Sequence, residues 1–311
     1  MDKPAANIWN TSGQRRAGLT CSGKAWVKTQ TTTLASAVAW TIYKDVSARK
    51  LEGRSKSQGE GMSVNPIIDE IYRTRVVHDA SGNEYDLSGE VDPAEGDYLY
   101  RLISSDDEIT KTLEVGCAYG LSALHICEGL RNRPNASHVI VDPAQMDFWH
   151  GVGITHLERA GIDFFRFIPE PSELALPDLL RTQAGNFDLV FIDGWHTFDH
   201  TMLDLFYANR LIRVGGYIVI DDCHWESVSA AVSYYRNYPA FEQVKKPTLA
   251  MHSGIERMAR AITMAFPPGL AHSILPARVY GRYYRRIRFP SMVGFKKVAE
   301  DTRSWTWFVG F

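Results

Sequence analysis

From Ile109 onward, short apolar and β-branched runs alternate with longer stretches in which apolar residues recur at helical spacing. TKTLEVG precedes SALHICEGLR, HVIVD precedes a long segment reaching Ala160, and DFFRFI precedes SELALPDLLRT. FDLVFID is then followed by TMLDLFYANRLI, and GGYIVIDD by SVSAAVSYYRNY. Strand-then-helix units in succession predict a mostly parallel α/β sheet, doubly wound and Rossmann-like, with helices on both faces. The strand runs are apolar at almost every position, as expected where both faces are covered. After Tyr238 the alternation stops. FEQVKKPT and SMVGFKKV predict the last two of seven strands, with residues 249–290 inserted between them.

Upstream, residues 62–108 predict two helices, around Pro66 to Val76 and Glu95 to Ile103, joined by loop chemistry in HDASGNEYDLSGEVDPAEGD. This segment is placed to serve as a helical lid, with GEVDPAEGDYLY as the part that folds over a ligand. The polar KLEGRSKSQGEG at 50–61 reads as a linker. The predicted organisation is therefore an extension (1–61), a lid (62–108) and an α/β domain (109–311).

The extension has no acidic residue between Asp2 and Asp45 and six basic ones. Organelle transit peptides share that bias, but the preferred expectation is a flexible or partly helical arm, with Trp26, Trp40 and Tyr43 packing part of it. A formal net charge of −2 argues against a dedicated, sequence-specific nucleic-acid binder. The four cysteines (Cys21, Cys117, Cys127, Cys223) lack CxxC spacing, which disfavours a zinc site and suits reduced thiols in the cytoplasm. No apolar run approaches the ~18 residues of a membrane span. The insertion carries seven Arg and one Glu, and ARVYGRYYRRIRF interleaves Arg with Tyr. A solvated helix face with Arg–Tyr stacking is the plain expectation; peripheral contact of 278–288 with an anionic membrane, or with RNA, is the alternative.

Glu114-Val-Gly-Cys-Ala-Tyr-Gly120 joins a predicted strand to a predicted helix. Gly116 permits a sharp turn near a ligand, and Gly120 lets the helix begin beside it. Ala118 and Tyr119 lie within the turn. Asp142 ends the next strand, where a carboxylate meets both hydroxyls of a ribose. A dinucleotide fingerprint would read GxGxxG with pyrophosphate over the helix. Here the spacing is GxxxG, and Glu114 precedes the first glycine by two residues. A carboxylate there repels pyrophosphate and suits an ammonium, which favours S-adenosyl-L-methionine over a dinucleotide.

The second constellation pairs FIDGWH (191–196) with IDDCHW (220–225), both at strand ends. Asp193, Asp221 and Asp222 would converge there and repel one another unless neutralised. A divalent cation, Mg²⁺ first, would resolve the repulsion and could aim a substrate oxygen. The alternative is that Asp193 caps a helix and the acidic pair is a solvated strand end. His196 has the pKa to accept a proton from a hydroxyl, with His224 in reserve; a structural histidine is the competing reading. His200 shares a helix face with His196, but nothing else supports a zinc pair. Trp195 and Trp225 are candidate pocket walls.

On these motifs, Glu95 to Gly310 resembles class I S-adenosylmethionine-dependent methyltransferases. Within them it is similar to the small-molecule O-methyltransferase group with an FIDGxH motif, which includes macrolide-sugar enzymes. The resemblance implies cofactor contacts at Glu114, Gly116, Ala118, Tyr119, Gly120, Asp142 and Asp193, and a metal at Asp193, Asp221 and Asp222. It also implies His196 as the base. Many members have glycine where this chain has Ala118. The function so implied is methylation of a hydroxyl on a small molecule, in a chain that could also form a homo-oligomer. A catalytically silent cofactor-binding regulator, or a methyltransferase acting on lipid or RNA, are the alternatives.

Overall fold

A computed structural model describes residues 65–244 and 291–310. The chain divides into two units, 1–61 and 62–311. The predicted arm, the linker and the Arg/Tyr insertion lie outside the described residues.

The first helix, α1 (Pro66–Thr74), begins with proline at its first turn and Asn65 as its cap, whose Oδ1 accepts from the Ile67 amide at 2.8 Å. Two three-residue strands follow, β1 (Val76–His78) and β2 (Glu84–Asp86), paired antiparallel. The sequence reading took this stretch as loop. The correction has a simple cause: strands this short, mostly partly exposed, leave no period-two pattern to read. Asp79 makes the turn, its Oδ1 accepting from the amides of Ser81 and Asn83 at 2.9 Å. Next comes α2 (Pro93–Ser104), where Asp92 and Glu95 form a reciprocal capping box.

The main sheet is built from β3 (Lys111–Val115), β4 (Ser137–Val141), β5 (Phe165–Ile168), β6 (Phe187–Ile192), β7 (Ile212–Ile220), β8 (Phe241–Gln243) and β9 (Val293–Lys297). Their order is β5-β4-β3-β6-β7-β9-β8, parallel except where β9 runs against both β7 and β8. This is the Rossmann-like, seven-stranded arrangement expected. The helices between strands are α3 (Leu121–Leu130), α4 (Val152–Arg159), α5 (Ser172–Gln183), α6 (Phe198–Leu211) and α7 (Glu226–Tyr235). The sheet separates two apolar layers, one centred on Leu113, Val190 and Ile218, the other on Ile140, Leu189 and Phe191. Both faces of β6 are covered and all six of its residues are buried.

Polar anchors set the strand ends. Asp188 Oδ2 accepts from the Thr110 and Lys111 amides at 2.8 Å while Oδ1 takes Arg213 Nε at 2.6 Å, tying β3, β6 and β7 at one edge. Lys297 is buried, and its Nζ donates to the carbonyls of Asn209 and Ile212, at 3.0 and 3.2 Å, so a cation sits at the negative end of α6. Helix α2 lies against α3 because Gly96 leaves room: a methyl group there would come within 2.4 Å of the His125 ring.

His125 is 4% exposed, and burial pushes its pKa down to about 4 against weaker opposing fields from Asp97, Glu128 and Asp69. An unfolded chain protonates this ring below pH ~6.5 and the native one does not until about pH 4, so its contribution is lost as pH falls through that window. Denaturant titrations should show His125→Phe losing less stability than wild type between pH 7 and pH 4, by about 2–3 kcal/mol. Parallel curves would contradict the assignment.

Candidate active site

The strand order reverses between β3 and β6, and the crevice at the carboxyl ends of these strands is where an open α/β sheet receives ligands. The glycine turn leaves β3 there. Gly116 (φ +87°) and Gly120 (φ +79°) are both left-handed. The reason for each differs from the sequence reading. A Cβ on Gly116 would lie 2.0 Å from the carbonyl oxygen of Asp193, and one on Gly120 would lie 2.8 Å from Gly153 backbone. Protein backbone already excludes side chains at both. Ala118 is also left-handed (φ +46°), a conformation costing an L-residue roughly 1–2 kcal/mol, which explains the appeal of glycine at this position.

Asp142 ends β4 and is buried. Its Oδ2 accepts from the amides of Cys117 and Ala118 at 3.0 and 3.1 Å, and its Oδ1 from the Ala144 amide at 2.8 Å. It therefore pins the turn, a role the sequence reading did not assign. Gln145, also unnoticed, bridges the Ala118 carbonyl at 2.8 Å and the Gly153 amide at 3.1 Å. Glu114 corrects a second expectation. It is fully buried; one carboxylate oxygen accepts from Ser122 Oγ and the other faces His138 Nε2 at 3.1 Å. Its charge is answered inside the protein, so it does not stand open at the strand end.

A cavity lies beside the turn, lined by Gly89, Glu90 and Val91 of the lid segment, by Cys117, Ala118, Tyr119, Leu121 and Ser122, and by Asp193. GEVDPAEGDYLY thus contributes one wall. Tyr119 packs edge-on against Trp149, with ring centroids 4.9 Å apart.

Beyond β6, Asp193 and His196 lie on the loop entering α6, which Thr197 caps. His196 Nε2 sits 3.3 Å from Asp193 Oδ1 and 3.2 Å from Asp222 Oδ2. Its hydrogen bond to the Asp193 carboxylate raises the His196 pKa, opposed by burial and reinforced by Asp222. Burial pushes Asp193 up to about 7, partly offset by His196. Asp222 adopts φ +51°, a strained conformation for a non-glycine residue at a strand end. Its other oxygen lies 3.4 Å from His224 Nδ1. Trp225 stacks on the His196 ring (5.6 Å, 23°), and Trp195 stands exposed beside it.

The expected trio of Asp193, Asp221 and Asp222 is not what the fold assembles. Among the described residues, donor atoms of Asp193, His196 and Asp222 gather within 4.8 Å of one another. Asp221 is buried; its Oδ1 accepts the Asp222 amide at 2.7 Å, and its pKa is raised by burial and by the neighbouring charge of Glu95. His196, three residues after Asp193, is the third member of the group in place of Asp221. His200 is engaged by Thr197 Oγ1 at 2.8 Å and lies outside this group.

A family model described as a methyltransferase domain matches residues 113–223. No curated protein matches the chain in sequence. Among solved structures, it is similar to an O-methyltransferase from Bacillus cereus in complex with S-adenosylhomocysteine, at 18% identity, covering 59% of this chain and 84% of that one, with a TM-score of 0.48. It is similar also to TomG of Streptomyces achromogenes, an O-methyltransferase involved in tomaymycin synthesis, in complex with S-adenosylmethionine (17%, 60% and 82%, TM-score 0.45). A third is the S-adenosylhomocysteine-bound methyltransferase PaMTH1 of Podospora anserina (17%, 74% and 96%, TM-score 0.46). No residue role or substrate passes from these distant likenesses to this chain. No described helix is long and apolar enough to cross a membrane. The match to a methyltransferase domain covers about a third of the chain and spans the glycine turn, Asp142, the FIDGWH loop and the acidic pair, all at the carboxyl ends of strands in the Rossmann-like sheet.

Proposed function

We propose that this enzyme methylates a hydroxyl group of a small molecule, with His196 receiving the proton. The observation that carries the reading is the placement of one imidazole nitrogen within 3.3 Å of two carboxylates, beside the cavity that the glycine turn lines. The lining chemistry suits the cofactor's amino-acid end: Glu90 and Asp193 for an ammonium, and Val91, Leu121 and Tyr119 for apolar groups. The bound cofactor supplies a methyl group on a positively charged sulfur. Ala118, Tyr119 and Asp193 would touch it; Glu114, Gly116, Gly120 and Asp142 shape the turn that presents them.

With Nε2–H donated to the carboxylates, Nδ1 of His196 is the free acceptor. That nitrogen would take the hydroxyl proton of the acceptor during methyl transfer. Asp193 and Asp222 steady the imidazolium and hold its ring, and the stacked Trp225 limits its rotation. The enzyme's remaining task is alignment and exclusion of water. Trp195 and Trp225, both exposed, offer apolar surface to the acceptor.

One observation favours a metal-assisted form. The two carboxylates and imidazole of Asp193, His196 and Asp222 suit a divalent cation, whose chemistry would be to polarise the acceptor oxygen. The nitrogen donor makes Mn²⁺ a better match than Mg²⁺.

His196→Gln should lower kcat by about 10²–10⁴-fold while S-adenosylhomocysteine affinity, measured by calorimetry, stays within about threefold. Wild-type turnover in that variant would remove the base. Labelled methyl transfer assayed in EDTA separates the two forms: full activity leaves His196 as proton acceptor, whereas loss restored by Mn²⁺ assigns the trio to a metal. Asp142→Ala leaves at least two buried amides without acceptors, so urea unfolding should show a loss of about 3 kcal/mol alongside lost cofactor binding. An unchanged midpoint would show that the turn holds itself.

A further inference from the structure

The cofactor's methionine end is a zwitterion, and its ammonium needs a carboxylate in the cavity wall. Three acids lie near enough to be considered. Glu114 is consumed by Ser122 and His138 behind the turn. Asp193 lines the cavity but directs Oδ1 to His196. Glu90 lines the same cavity from the opposite, lid side, and its side chain is only 17% exposed. A carboxylate that is largely buried needs a cation. In this structure the cation is Arg75, whose guanidinium pairs with Glu90 Oε1.

Arg75 stands at the carboxyl end of α1 in a left-handed conformation, and its own side chain is one third exposed. Arg75 is not itself among the residues that line the cavity. The two residues flanking Glu90 are also in the wall. Glu90 thus belongs to the cavity wall and pairs with a cation that does not.

We propose that Glu90 is the ammonium-binding residue of the cofactor site, paired in this structure with Arg75. The inference rests on the cofactor pocket proposed above and assigns to the lid the electrostatic role that the sequence pattern suggested for Glu114. It also gives the lid a reason to close on cofactor: the contact that neutralises the ammonium is carried by the segment joining β2 to α2.

The test compares two nucleosides on the full chain by calorimetry. S-Adenosylhomocysteine has the amino-acid tail; 5′-methylthioadenosine has the same thionucleoside without it. Glu90→Gln should weaken S-adenosylhomocysteine by about tenfold or more, the value of a charge-assisted hydrogen bond, and leave methylthioadenosine within about twofold. Arg75→Gln, which removes the paired cation only, should keep both affinities within about threefold. Equal weakening of both nucleosides by Glu90→Gln would make the residue a structural part of the lid and overturn the proposal. So would unchanged affinity for both, or an Arg75→Gln loss as large as that of Glu90→Gln. Circular dichroism and thermal melts confirm that each variant is folded before affinities are compared. A wild-type chain that binds neither nucleoside would remove the pocket assignment itself.

Discussion

The constraint on which the site depends is the approach of two backbones at the carboxyl ends of β3 and β6. The Gly116 α-carbon lies so close to the Asp193 carbonyl that a single methyl group would be 2.0 Å from that oxygen. Asp193 N in turn donates to the Val115 carbonyl at 2.8 Å. The turn that leaves β3 and the loop that leaves β6 are therefore one rigid body, and the residues with chemistry hang from it. Asp142 adds a third support from β4 by holding two amides of the turn. A ligand entering the crevice meets a preformed surface, which limits the entropy lost in ordering it.

Around that surface the protein concentrates buried acids and answers each differently. Glu114 has a hydroxyl and an imidazole, Asp142 has backbone amides, and Glu95 caps α2. Asp221 accepts one amide beside a second buried acid, so its neutral form is favoured. Asp193 and Asp222 share a single histidine, and Glu90 meets an arginine. Acids with fixed partners serve the scaffold, because their oxygens are spent. Those paired with a partly exposed group, as Asp193 and Asp222 are with His196 and Glu90 is with Arg75, remain available for chemistry. This distinction sorts structural from functional carboxylates more sharply than position at a strand end does.

The sheet was legible because its strands are continuous apolar runs and its helices are amphipathic, so both periods are written locally. The start of the first helix at Pro66 was legible too. The second begins at Pro93, two residues before the expected Glu95, within a stretch whose composition reads as loop. The β1–β2 hairpin was not legible, since three-residue strands supported by one Asx turn and by Tyr85 stacked on His150 depend on a partner distant in the chain. The glycines of the turn were found by spacing, yet the reason for them was not. A forbidden contact with Asp193 or Gly153 exists only once β6 and α4 are in place.

Sequence alone determined which residues crowd one end of the sheet, because strand order and loop position follow from the alternating pattern. It could not determine which way each carboxylate points. Asp221 and Asp222 are neighbours with the same side chain, just beyond the end of β7. Asp221 went inward toward Glu95, and Asp222, bent into a left-handed conformation, went toward His196. Tertiary structure made that choice, as it did in turning Glu114 to Ser122 and His138, because the nearest hydrogen-bonding partner of a buried charge is set by packing across the fold and not by distance along the chain.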